Sequence, residues 1–282
     1  MSANPDRAVT IAPNAIALTI AGSDPSGGAG LQADLKAFHQ NGVYGMSVVT
    51  LITVQNTLGV QRLELLATDL IGEQFDAVMS DIPPRVIKTG ALGNAAIIAE
   101  VAGKIAGADI PVVVDPVMIS KHGVKLIDDA AIDAYRETLL PRATLITPNR
   151  FEAERLLDRE IGGDLDDLLR ATEDLRGLGP AMVLLKAGHV DGEQMHVFID
   201  SESLVTFAVE HHDTIQTHGA GCSLSATIAA RLALAAPDQA IEVSTREAVE
   251  FGIAAVNHAI RFAPEYGKGS GPVESRMLHI GD

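Results

Sequence analysis

Ile16-Ala17-Leu18-Thr19-Ile20-Ala21 runs directly into Gly22-Ser23-Asp24-Pro25-Ser26-Gly27-Gly28-Ala29-Gly30, which leads into Leu31-Gln32-Ala33-Asp34-Leu35-Lys36-Ala37-Phe38-His39-Gln40. The first six residues form a short apolar run of β type. The middle nine are a glycine-rich loop, and the last ten read as a helix. Strand, glycine loop and helix in that order open an α/β fold. The glycine spacing is neither G-x-G-x-x-G nor G-x-x-x-x-G-K-[ST], so a dinucleotide site or a P-loop finds no support here.

The alternation continues along the chain. Strands are expected at residues 47–54, 60–66, 86–88, 111–115, 144–147 and 182–186. Helices are expected at 69–80 (capped by Thr68 or Asp69), 94–106, 128–139, 148–157, 165–178, 224–236 and 246–261. Residues 195–199 and 204–208 alternate around Asp200-Ser201-Glu202-Ser203 and predict an antiparallel hairpin. Asp164-Leu165-Asp166-Asp167 reads as a helix start with a solvated face. The segment 267–271 reads as a loose glycine tail. With no repeat or linker composition, the expectation is one three-layer α/β domain over 15–265 with a mostly parallel sheet. A tail at 1–14 and a C-terminal segment at 266–282 flank it.

Composition narrows the function. Of 282 residues, 47% are hydrophobic, with three Tyr, seven Phe and no Trp, so aliphatic side chains must fill the core. A formal charge of −16 argues against covering a nucleic acid or an anionic membrane. The single cysteine excludes an internal disulfide and suits a reducing compartment. The first 15 residues lack the pattern of a signal peptide, and no apolar run reaches the ~18 residues of a membrane span. A soluble, cytoplasmic protein is expected.

A second stretch carries the chemistry: Thr217-His218-Gly219-Ala220-Gly221-Cys222-Ser223-Leu224-Ser225-Ala226. Its glycines let successive N–H groups point at one spot, and the helix that follows adds the positive end of its dipole, so the stretch predicts an anion site. Cys222 sits at that point, where a thiol is expected to ionise more easily than usual. A glycine turn with a small filler side chain is the plainer reading, and a Cys222–His218 nucleophilic pair is a further one. His211-His212 and His218, with one Cys, are too few for a zinc set.

Polar residues also gather where strands stop: Asp24, Gln55-Asn56, Lys88, Asp115, Asn149 with Glu152, and Lys186. In a parallel sheet these ends share one rim. A strand-end lysine and an anion loop suit phosphate, while Asp115 with Asn149 and Glu152 suits Mg²⁺ through oxygen or water. Together they describe phosphoryl transfer.

These residues resemble a known family. Residues 21–36 resemble the opening motif of hydroxymethylpyrimidine/phosphomethylpyrimidine kinases, thiamin-synthesis enzymes of the ribokinase-like superfamily. The likeness continues in Val54-Gln55-Asn56-Thr57, Lys88-Thr89-Gly90, Val114-Asp115-Pro116-Val117-Met118, residues 146–154, Leu185-Lys186-Ala187-Gly188-His189 and the 217–226 block, covering residues 17 to 261. The resemblance implies a three-layer ribokinase-like fold and a kinase using ATP and Mg²⁺ that phosphorylates hydroxymethylpyrimidine and then its monophosphate. Gly22, Ala29, Asp34 and Gln55 would hold the pyrimidine, with Gln55 on the ring edge and Asp34 and the Gly22 backbone at the hydroxymethyl end. Gly219, Ala220, Gly221 and Cys222 would hold the transferred phosphoryl group, with the thiol assisting the hydroxyl. Lys186, Thr217 and Gly219 would meet ATP phosphates, and Lys121, in Lys121-His122-Gly123, would sit on a flap near them. Asp115, Asn149 and Glu152 would order Mg²⁺ and its waters. A homodimer is implied as well.

Ala220, Ala187 and Gly269-Ser270-Gly271-Pro272 depart from the usual pattern of that family. A Gly-Ala-Gly-Cys block also occurs in pyridoxal kinases of the same fold, but those add a lid cysteine that this chain lacks. A pyridoxal kinase is the runner-up, and a non-catalytic ligand sensor is a third reading.

Overall fold

The computed structural model describes residues 15–118, 127–190 and 193–279. The glycine-loop unit forms as expected: β1 (Ile16–Ser23), a loop, then α1 (Gly30–Gln40). There follow β2 (Tyr44–Asn56), β3 (Gly59–Leu65), α2 (Thr68–Asp81), β4 (Val86–Thr89), α3 (Ala95–Ile105), β5 (Val112–Val114), α4 (Asp129–Ala134) and β6 (Leu145–Ile146). The chain ends with α5 (Arg150–Leu157), α6 (Leu165–Gly177), β7 (Met182–Val190), β8 (Glu193–Ile199), β9 (Leu204–Val209), α7 (Ala220–Leu234) and α8 (Ile241–Arg261).

One sheet contains the nine strands in the order β3-β2-β1-β4-β5-β6-β7-β8-β9. The inner pairs from β2 to β7 are parallel, and β3, β8 and β9 add antiparallel edges. Strand side chains alternate between two cores, as a period of two requires. Leu18, Ile20, Ile87, Val112, Val114, Ile146 and Val183 face the layer holding α2, α3 and α6. Ala17, Val86, Val113, Leu145, Met182 and Leu184 face the layer of α1, α7 and α8. The expected hairpin is β8–β9. Among the described residues, no helix is long and apolar enough to cross a membrane.

Three local expectations change. Neither Thr68 nor Asp69 caps α2. Ala67 enters extended (φ −63°, ψ 140°) as the capping position with no side-chain bond, and the Asp69 carboxylate turns to Leu70 N–H instead. The helix expected over 128–139 keeps α geometry only to Ala134 and then widens into a π turn, Tyr135–Leu139, before the 3₁₀ turn that contains Pro141. The glycine segment is packed rather than loose: Cβ atoms on Gly267 and Gly269 would strike Thr57, and Gly271 N–H donates to Gln216 at 2.6 Å.

Candidate active site

β1 is the topological switch of the sheet, because β2 and β4 leave it on opposite sides. Two glycine loops close over its carboxyl end. Gly219 adopts φ +76°, and a Cβ there would lie 1.7 Å from the Gly28 carbonyl oxygen. The two loops therefore touch backbone to backbone, which only glycine permits at Gly219. Between them and the strand ends lies a cavity of about 500 Å³.

At one end of this cavity lie Gly22, Ala29 and Gln55. The β2–β3 register slips between Val54 and Gln55, an irregularity of the kind that re-aims a side chain. Asp24 sits beneath the glycine loop, buried. Its Oδ1 accepts from Ser26 N–H at 2.9 Å and Ser26 Oγ–H at 2.7 Å, and its Oδ2 accepts from Ala29 N–H at 2.8 Å. His218 Nε2 is 2.8 Å from the same Oδ2. Burial alone would raise the Asp24 carboxyl, but the bonds from His218 and Ser26 outweigh it and hold its pKa below the ordinary value. The Cys222–His218 pair is thereby corrected: the nearer demand on the imidazole is the Asp24 carboxylate.

Asp34 is corrected too. It does not line the cavity; it is fully buried, its two oxygens 2.8 and 3.0 Å from Lys88 Nζ and one of them 2.6 Å from the Thr19 hydroxyl that donates to it. Thr19 and Lys88 are register partners across β1 and β4, so strand pairing brings this triad together. Lys88 instead reaches the cavity floor under Gly90. Burial alone would lower its ammonium, but Asp34 outweighs that and keeps it charged. The chain carried the signals: Leu31, Asp34 and Phe38 recur on one buried face of α1, and Lys88 interrupts the apolar run Val86-Ile87.

At the other end, Lys186 Nζ lies 3.1 Å from Asp115 Oδ1, which also accepts from the Thr147 hydroxyl at 3.2 Å. Asn149 caps α5: its Oδ1 accepts from Glu152 N–H at 2.9 Å, while Glu152 Oε2 accepts from Asn149 N–H at 2.8 Å. That reciprocal box aims Glu152 at the rim and makes Asn149 a positioning residue. Burial pushes Glu152 up to about 7, against the pull of Lys186 and with the push of Asp115. Two buried carboxylates here face one ammonium, an excess of negative charge that a divalent cation would neutralise. Mg²⁺ asks for one or two carboxylates with waters and phosphate oxygens, and this donor set fits it. His196 on β8 is kept neutral, lowered to about 4 by burial and by Lys186.

Between the two ends stands the start of α7. Ser223 N–H bonds Gly219 C=O and Ala220 N–H bonds Thr217 C=O. Gly221 and Cys222 then hold the first-turn amides that have no acceptor within the helix. A Cβ on Gly221 would lie 3.2 Å from Lys186 Nζ, so these amides and the lysine face one space. The expectation of an easily ionised thiol fails. Burial pushes Cys222 up to about 12; Lys88 and the nearby Gly30 backbone amide pull it down, while Asp34 and Asp115 push it further up. Lys121 lies outside the described residues.

The fold is that of the ribokinase-like small-molecule kinases. A family model for phosphomethylpyrimidine kinase matches residues 24–274. The hydroxymethylpyrimidine/phosphomethylpyrimidine kinase of Synechococcus elongatus is 45% identical over 92% of this chain and 96% of its own. A crystal structure of phosphomethylpyrimidine kinase from Clostridium difficile superposes with a TM-score of 0.75 at 40% identity, covering 87% of this chain and 99% of that one. An ADP complex of Bacillus subtilis pyridoxal kinase gives 0.82 at 35% identity, covering 93% and 98%. The chain belongs to the phosphomethylpyrimidine kinase family.

Proposed function

We propose that the protein transfers the γ-phosphoryl group of ATP first to hydroxymethylpyrimidine and then to its monophosphate, in thiamin biosynthesis. The observation that carries this reading is one continuous cavity. Its lining runs from Gly22, Ala29 and Gln55 to the start of α7 at Gly221 and Cys222 and to the Lys186–Asp115 pair.

The acceptor ring lies against Gln55, its hydroxymethyl oxygen near the Gly22 backbone. The first-turn amides of Gly221 and Cys222, presented by the Gly219-Ala220 turn, receive the phosphoryl group in transit, with Thr217 at the loop's entry. Lys186 and, from below, Lys88 offset its charge. Asp115 and Glu152 would hold Mg²⁺, which supplies charge neutralisation to the phosphates when bound. Because the Cys222 thiol keeps its proton at neutral pH in the free protein, positioning and electrostatics carry the transfer: the acceptor oxygen bonds the γ-phosphorus as its bond to the bridging oxygen breaks and ADP leaves, and the hydroxyl proton passes late to an oxygen of the transferred phosphoryl group. The second transfer needs only another oxygen in the same place. A homodimer in the cytoplasm completes the reading. The apolar group Tyr44, Ile52, Val54 and Leu58, exposed on and beside β2, supports association.

Pyridoxal kinase is the second reading, favoured by the superposition on the Bacillus enzyme. Coupled ADP release with ATP, Mg²⁺ and, in parallel, hydroxymethylpyrimidine, its monophosphate and pyridoxal separates the two. Turnover of both pyrimidines with little pyridoxal activity is expected. Preference for pyridoxal moves the chain to vitamin B6 chemistry, and no turnover at all leaves ligand sensing.

A further inference from the structure

His196 lines the cavity and takes no part in the transfer described above. Its place follows from the pleat of β8. Val197 and Ile199 face the layer of α2, α3 and α6, while Phe198 faces that of α1, α7 and α8. By the strand's period of two, His196 shares the side of Phe198. Lys186 shares it too, two residues beyond Leu184 on β7. Pairing then brings the two together. Leu185 faces Val197 and Gly188 faces Met195, so Lys186 and Ala187 both stand opposite the single residue His196. Such a bulge re-aims side chains and recurs beside active sites. The imidazole itself is poorly matched by its surroundings. Nδ1 is buried and has no hydrogen-bond partner among the described residues. The ring as a whole is half-buried, and its open side gives on the cavity, so Nε2 is the nitrogen a ligand can reach.

We propose that His196 binds the polyphosphate of the donor nucleotide, giving its Nε2–H to a phosphate oxygen beside the Lys186 ammonium. The proposal rests on the reading of the protein as an ATP-dependent kinase. The transferred group goes to the α7 amides, so His196 is left the phosphates that stay with ADP. A phosphate oxygen only accepts, so its arrival selects the tautomer with the hydrogen on Nε2. Nδ1 is then a bare lone pair, which is cheaper to bury without a partner than an N–H. A neutral donor suits this place better than a second cation. Burial and Lys186 hold the ring uncharged in the free protein, so nothing there repels the lysine. When the nucleotide binds, the same ring still adds a hydrogen bond to an anionic oxygen, the stronger kind.

Calorimetric titration with ADP and steady-state kinetics with ATP test this. In His196→Phe the Kd for ADP and the KM for ATP should both rise by on the order of tenfold or more, with kcat and the pyrimidine KM within about threefold of normal. His196→Gln, which keeps an N–H donor, should recover part of the lost affinity. That split sets a nucleotide contact apart from general damage, which would lower kcat and raise both KM values together. Nitrogen-15 NMR of the unaltered protein carries the test if His196→Phe does not fold: saturating ADP should move the His196 ring resonances and leave the hydrogen on Nε2. An ADP affinity within about twofold of normal in His196→Phe overturns the assignment, as do equal losses in kcat and both KM values, or ring resonances that ADP does not move. Each of these leaves the kinase reading standing. An unaltered protein that binds neither ADP nor ATP removes that reading, and the role of His196 with it.

Discussion

A thiol whose pKa is pushed to about 12 is one part in ten thousand thiolate at pH 8, roughly a thousandfold less than a thiol at the reference 9.0. Alkylation of Cys222 by iodoacetamide at pH 8 should therefore be slower than that of a free thiol by about that factor. A rate near the free-thiol value would show that the surrounding charges win over burial. Cys222→Ala, which keeps the backbone amide, should lower kcat by less than about tenfold and leave the pyrimidine KM within about threefold; a kcat loss of ~100-fold or more would show that the sulfur serves as a base after all. Glu152 titrates in a different window. The folded state holds its proton between about pH 4.5 and 7, where the unfolded chain has released it. Stability from this group therefore falls as pH rises through that range, and the loss is complete above about 7. Glu152→Gln should stabilise the metal-free protein at pH 8 by up to ~3 kcal/mol and do little at pH 4.5, as urea unfolding at the two pH values would reveal. A variant destabilised equally at both would mean that the carboxylate is compensated where it lies.

Among elements, the joins matter more than the pieces. The Lys88–Asp34 pair ties β4 to α1 with Thr19 of β1 as a third contact, all out of water. Lys88→Met strands a buried carboxylate and should cost ~3–5 kcal/mol, while Lys88→Met with Asp34→Leu should recover most of that stability. Thermal or urea unfolding of the single and double variants reads this directly. If the double variant recovers stability without activity, the ammonium beneath the cavity acts in turnover. At the clasp between the loops, Gly219→Ala meets both a positive φ and the Gly28 carbonyl oxygen, so the loops must part. We expect the variant to fold around an opened cavity and to lose at least ~100-fold in kcat/KM; near-normal kinetics would show that the clasp is not needed.

Across the whole molecule, the last described residues act as a strap. His218 N–H donates to Gly271 C=O at 3.0 Å, Gln40 Nε2 to Arg276 C=O at 2.9 Å, and Asn41 Nδ2 to Leu278 C=O at 3.2 Å. Leu278 is fully buried in the core shared by α1, α7 and α8. The strap thus links the site loop to the far end of α1. Leu278→Ala should cost ~2–5 kcal/mol in urea unfolding. A change below about 0.5 kcal/mol would show that the strap adds little to the fold.

Much of this was legible in the chain. The strand and helix order, the hairpin, the glycine loop that opens α7 and the strand-end positions of Asp115, Asn149, Glu152 and Lys186 follow from local periodicity, glycine placement and the rule that parallel strand ends share a rim. Only the tertiary structure decided which polar groups meet. Asp34 went to Lys88 rather than to the cavity, and His218 went to Asp24 rather than to Cys222, because a buried charge takes the nearest partner that three-dimensional packing supplies. The thiol's proton was decided there as well: a helix start argues for ionisation, but burial beside two carboxylates overrides it, and neither burial nor neighbouring charge can be read along a chain.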